Sequence, residues 1–90
     1  MMQSGRPHPS PEILALKALR FLADSPNLLC RFMGASGVNE LGLRTRAGEP
    51  EFLSAVLDFV LGDEALAKKF CELESLDARE IHLANQRLRA

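Results

Sequence analysis

Gly48-Glu49-Pro50-Glu51-Phe52-Leu53-Ser54-Ala55-Val56-Leu57-Asp58-Phe59-Val60-Leu61-Gly62-Asp63-Glu64 is the most apolar stretch of the 90-residue chain, and its periodicity decides the fold class. At about 100° per residue, Phe52, Val56, Phe59 and Val60 share one face, with Leu53 and Leu57 beside them. Glu51, Ser54, Asp58 and Gly62 are left in a narrow polar stripe. The stretch therefore predicts a helix that neighbours must cover on most of its surface. Those neighbours are helices too, because no segment has the period-two alternation or β-branched run of a strand. The expectation is an all-α bundle of five to six short helices.

Working outward, start signals recur along the chain. Ser10-Pro11-Glu12 places a cap, a proline at the first helical position and an acid in the positive first turn. The helix it opens runs to about Ala23, with Leu14, Ala18, Phe21 and Leu22 as its main face. Ile13, Leu16 and Leu19 extend that face nearly all round, so this helix too is expected to be mostly buried. Ser25-Pro26 opens a second helix bearing Leu28, Leu29, Phe32 and Met33, closed by Gly34 to Gly37. Glu40 to Ala47 reads as a short third helix with Gly42 inside it and Gly48 as its terminal glycine. Beyond the central helix, Asp63 caps a fifth with Leu66, Phe70 and Leu73 inward. Asp77 and Glu80 then form a capping-box pattern for a sixth, bearing Ile81, Ala84 and Leu88.

Setting Pro11 against Pro50 reveals an internal repeat. Pro11-Glu12-Ile13-Leu14 aligns with Pro50-Glu51-Phe52-Leu53, and Phe21-Leu22-Ala23-Asp24 with Val60-Leu61-Gly62-Asp63. After one deletion Phe32 meets Phe70, Val38-Asn39 meets Leu76-Asp77, and Leu43 meets Ile81. The organisation expected is a disordered lead over residues 1–9 and a single helical domain over 10–90. Within it two three-helix units, 11–47 and 50–85, pack pseudo-symmetrically with the first and fourth helices as the central pair. Two units are too few for an open solenoid.

Ala15 to Ala23, Arg31-Phe32 and above all the block from Ala47 to Phe59 resemble a small bacterial family of unknown function, over about Pro11 to Leu88. The resemblance implies a short, helical, cytoplasmic protein, and it implies no activity, substrate or catalytic residue. In that pattern Asp is expected before the central proline. This chain has Glu49 there, a poorer cap.

Composition narrows the function classes. Hydrophobic residues make up 47% and charged residues 26% of the chain, a composition of folded domains rather than disordered ones. No run of about 18 apolar residues exists to span a bilayer, and Met1 to Pro9 has no apolar signal core, so the expected location is cytoplasmic. Cys30 and Cys71 have no C-x-x-C spacing and read as buried free thiols, and His8 and His82 are isolated. No nucleophile–base pair, metal-ligand spacing or glycine-rich phosphate loop occurs, so no enzyme, cofactor or metal is expected. Asp24, Asp63 and Asp77 are explained as helix-start residues, and Glu51 and Asp58 as a solvent edge.

Charge is the remaining feature. Met1 to Gly48 has six basic and three acidic residues, a balance of +3, whereas Glu49 to Ala90 has five basic and nine acidic, a balance of −4. Arg20, Arg31, Arg44 and Arg46 in the basic half are the candidate partner-binding residues. A net charge of −1 and the absence of Trp and Tyr weigh against nucleic acid. The expected function is a small protein-interaction module, an adaptor or regulator with a protein partner. The alternative is a nucleic-acid-associated protein using those arginines. Apolar surface left over on the first and fourth helices would suit a homodimer.

Overall fold

The computed structural model describes residues 10–90, and the expected N-terminal lead lies outside them. Six helices follow in order: α1 (Pro11–Ala23), α2 (Pro26–Ser36), α3 (Glu40–Arg46), α4 (Pro50–Leu61), α5 (Glu64–Glu74) and α6 (Ala78–Arg89). Among the described residues there is no strand, so the fold is an all-α bundle.

Local chemistry fixes where each helix starts. Ser10 Oγ accepts from the Ile13 amide at 3.2 Å, Asn39 Oδ1 from Gly42 at 2.8 Å, and Asp63 Oδ1 from Ala65 and Leu66 at 3.0 and 3.3 Å. Asp77 and Glu80 form the full capping box, with Glu80 Oε2 accepting from the Asp77 amide at 2.8 Å. Ser25 and Glu49 occupy cap positions without a side-chain cap bond, and there Pro26 and Pro50 preset the first helical turn. Gly42 sits inside α3 for a steric reason. A Cβ at that position would lie 2.7 Å from Val38 Cγ1. Gly37 closes α2 in the left-handed region, at φ 74°, whereas Gly48 has no positive φ and α3 ends on Ala47.

Helix α4 lies at the centre, packed on α1 and, most extensively, on α6, while α1 and α6 also pack on each other. Ala15 and Ala18 of α1 have no exposed surface, and their small side chains let neighbouring helices approach closely. Helices α2 and α5 cover the outside of this trio, each packed on the helix that precedes it. The core is Leu14, Leu22, Phe32, Phe52, Leu53, Val56, Leu57, Val60, Phe70 and Ile81, all at most 2% exposed.

Aromatic contacts join the halves reciprocally. Phe21 of α1 meets Phe70 of α5 with ring centroids 5.4 Å apart, and Phe59 of α4 meets Phe32 of α2 at 5.5 Å. Thirty-eight positions separate Phe21 from Phe59 and Phe32 from Phe70. The same interval separates the left-handed residues Gly37 and Ser75, and the caps Asn39 and Asp77. It also separates Ser25 (φ −125°, ψ 109°) from Asp63 (φ −124°, ψ 110°). Asp63 thus matches Ser25 in role rather than Asp24, because α4 is one residue shorter than α1. The third helices differ: α3 has seven residues and buries none, whereas α6 has twelve and buries Ile81, Ala84, Asn85 and Leu88.

Several burial expectations change. Ile13 and Leu16 are 51% and 43% exposed, so α1 is covered on one side only. Leu73 is 64% exposed, because α5 covers the bundle through Leu66 and Phe70 and turns Leu73 outward. Cys30 is exposed and Cys71 half-buried, since α2 and α5 are outer helices that bury only one face. Phe59 is half-buried, and Ser54 is buried.

Phe32 touches both Phe52 and Phe59 and is 1% exposed. Phe32→Ala is expected to lower unfolding free energy by about 3–5 kcal/mol in urea melts, and Phe59→Ala by less than Phe32→Ala, since part of its ring is already in water.

Candidate functional site

The four arginines singled out by charge come from three helices. Arg20 projects from the solvent face of α1 and Arg44 from α3. Arg31 lies on α2, with its guanidinium 5.9 Å from the Phe59 ring centroid and 3.6 Å from an Asp63 oxygen. Arg46, at the end of α3, lies 5.9 Å from the Phe52 centroid and donates to Glu49 at 3.0 Å. Phe52 and Phe59 both pack edge-on against Phe32, so Arg31 and Arg46 flank one aromatic cluster from opposite ends. Seven residues separate these rings along α4, a rise of about 10.5 Å.

Exposed ion pairs and cation–π contacts of this kind contribute about 1 kcal/mol or less each. Energies that small would not by themselves keep a phosphate away. Charge placement matters more. Asp63 and Glu49 pair with these arginines, and exposed Asp58 lines the shallow cleft formed with Phe32, Ala35, Ser36, Ala55 and Phe59. A polyanion would meet carboxylates between the cations.

A larger concavity lies between the end of α1, the start of α2 and α5. Phe21, Leu28, Leu66 and Leu73 supply its apolar wall, and Asp24, Glu72 and Lys69 its charged rim, around an open volume of about 780 Å³. Phe21 and Leu28 are half-buried and Leu73 mostly exposed, so the wall is open to solvent.

The polar constellation missed by sequence reasoning sits where α4 meets α6. Ser54 and Asn85 are 5% and 8% exposed, and the Ser54 hydroxyl donates to Asn85 Oδ1 at 2.5 Å. Asn85 Nδ2 donates to Asp58 Oδ1 at 2.7 Å, Arg89 Nη2 to Asp58 Oδ2 at 2.8 Å, and Arg89 Nε to Ser54 Oγ at 3.3 Å. Ser54 and Asp58 are one turn apart on α4, as are Asn85 and Arg89 on α6, so the four close a ring. The signal was Asn85 itself. It interrupts the apolar stripe Ile81, Ala84, Leu88 of α6, and a polar residue there needs a buried partner. The ring has no nucleophile–base pair and reads as an orienting device for α6.

Burial pushes the Cys71 thiol up from its ordinary pKa, and the nearby charges of Asp77, Glu80 and Glu72 push it further in the same direction. Cys71 is therefore a protonated, poorly nucleophilic thiol near neutral pH. Among the described residues, no group of three or more His, Cys, Asp or Glu side chains is placed to hold a metal ion. Among them, too, no helix is long and apolar enough to cross a membrane.

Comparison with protein families gives one assignment. The family model described as "Protein of unknown function (DUF3572)" matches residues 8–90. The chain belongs to this family. A search of curated proteins and a search of solved structures each found no match. The match spans all six helices of this member of DUF3572.

The ring generates a quantitative expectation. Asn85→Ala should destabilise by about 1–3 kcal/mol, because the Ser54 hydroxyl loses its acceptor in a buried site. Adding Ser54→Ala should cost less than the sum of the two single changes, with a coupling of at least about 0.5 kcal/mol in a double-mutant cycle read by denaturant melts.

Proposed function

We propose that this chain is a small protein-interaction module, an adaptor or regulator in the bacterial cytoplasm, that receives an amphipathic helix of a partner protein in the groove between α1, α2 and α5. The observation that supports the reading is Leu73. A leucine 64% exposed beside half-buried Phe21 and Leu28 leaves an apolar wall open among the described residues. Helix-in-groove recognition uses such walls, with apolar side chains spaced three and four apart as anchors. The rim carries Asp24 and Glu72 against one Lys69, so the fitting helix is one whose apolar stripe is flanked by Lys or Arg. We infer also that the two halves descend from a duplication, which the shared 38-residue interval of caps and phenylalanines supports.

The reading against nucleic acid rests on the dispersal of Arg20, Arg31, Arg44 and Arg46 over three helices and on the carboxylates paired with two of them. A labelled helical peptide with a leucine stripe and lysine flanks is expected to bind in a fluorescence-anisotropy titration with only modest salt dependence. Leu73→Glu should abolish that binding without altering the melt. Binding of generic RNA or DNA that falls steeply with salt, and is lost in Arg44 and Arg46 variants, would reverse the ranking.

A further inference from the structure

The solvent face of α1 carries a pattern that the six-helix packing does not use. Ile13 and Leu16 remain 51% and 43% exposed there. Glu12 and Arg20 lie one turn to either side of Leu16 on the same ridge, both exposed. Neither has an ion pair among the described residues, whereas Lys17 beside them is held by Glu74 at 3.6 Å.

We propose that this face is a self-association surface, on which α1 of a second copy of the chain packs antiparallel across a two-fold axis passing at Leu16. In that arrangement a residue a given number of positions before Leu16 lies level with the residue the same number after it on the other copy. Leu16 then meets the partner's Leu16 on the axis. Glu12 comes level with the partner's Arg20, and Arg20 with the partner's Glu12, which gives two equivalent ion pairs. The aliphatic stem of the partner's Arg20 lies over Ile13 and shields it from water. A parallel arrangement about a two-fold would instead set Glu12 against the partner's Glu12 and Arg20 against the partner's Arg20, so charge selects the antiparallel one. The surface is small. A standard stable interface buries about 800 Å² per partner, more than one face of a 13-residue helix supplies, so the dimer is a weak one that forms at high concentration. It goes beyond the groove reading and does not depend on it, since Leu73 is on α5 and is left untouched by changes on this face.

Sedimentation equilibrium over a concentration series up to millimolar tests the proposal. The wild-type chain should shift from 9.9 kDa toward twice that mass as concentration rises. Leu16→Glu should stay monomeric with an unchanged circular-dichroism melt. Glu12→Arg and Arg20→Glu should each weaken association several-fold, and the two together should restore it, because the swapped charges again face their opposites. A wild-type chain monomeric throughout would overturn the proposal. So would a double swap that associates no better than the single changes, since that places the contact on another face.

Discussion

Helix α4 has more apolar surface than one neighbour can cover, and the rest of the bundle is arranged around that constraint. Phe52, Leu53, Val56, Leu57 and Val60 span more than one side of the helix, and all are at most 2% exposed. Six helices of 7 to 13 residues achieve this by setting α1 and α6 against α4 and against each other, with α2 and α5 outside. At about 25 cal/mol per Å² of apolar surface removed from water, burial of these side chains is the main favourable contribution to folding. Apolar burial alone is indifferent to how one helix is rotated against the next. The ring of Ser54, Asp58, Asn85 and Arg89 supplies that selectivity, since rotating or sliding α6 by one residue would leave Asn85 and Ser54 buried without partners.

The two ends of that ring contribute differently. Asp58 and Arg89 are roughly half exposed, where an ion pair contributes about 0–1 kcal/mol, so their part is mainly to fix the Asn85 amide in place. Ser54 and Asn85 are excluded from water, where an unmet hydrogen bond costs more than a met one contributes. Helix α6 thereby becomes part of the core, although its composition is the most polar of the long helices. Helix α3 likewise follows a cap two residues after a left-handed residue. It has no such partner and stays at the surface.

Much of this was legible in the sequence because the signals are local. Ser10, Asp63 and Asp77 cap by accepting from amides two or three residues on, and Pro11, Pro26 and Pro50 act within one turn. The apolar faces of α4 and α6 followed from periodicity. What periodicity does not carry is which face a neighbour reaches. Ile13, Leu16 and Leu73 lie on apolar stripes yet stay exposed, because a small domain has too few elements to cover every stripe. Ser54 is the converse: grouped by period with Glu51 and Asp58, it is buried because Asn85, 31 residues away, turns toward it. Charge along the chain points to the arginines as a group, and the fold sets them on three helices with Asp63 and Glu49 beside two of them.

Native-state hydrogen exchange tests the central place of α4 most directly, since amides in the part of a fold that opens last exchange only through global unfolding. The slowest amides are expected in α4, at Val56, Leu57 and Val60, followed by the facing turns of α6 and α1, with α3 exchanging fastest by local opening. Protection in α2 or α3 equal to or above that of α4, or α6 exchanging as freely as α3, would contradict the account.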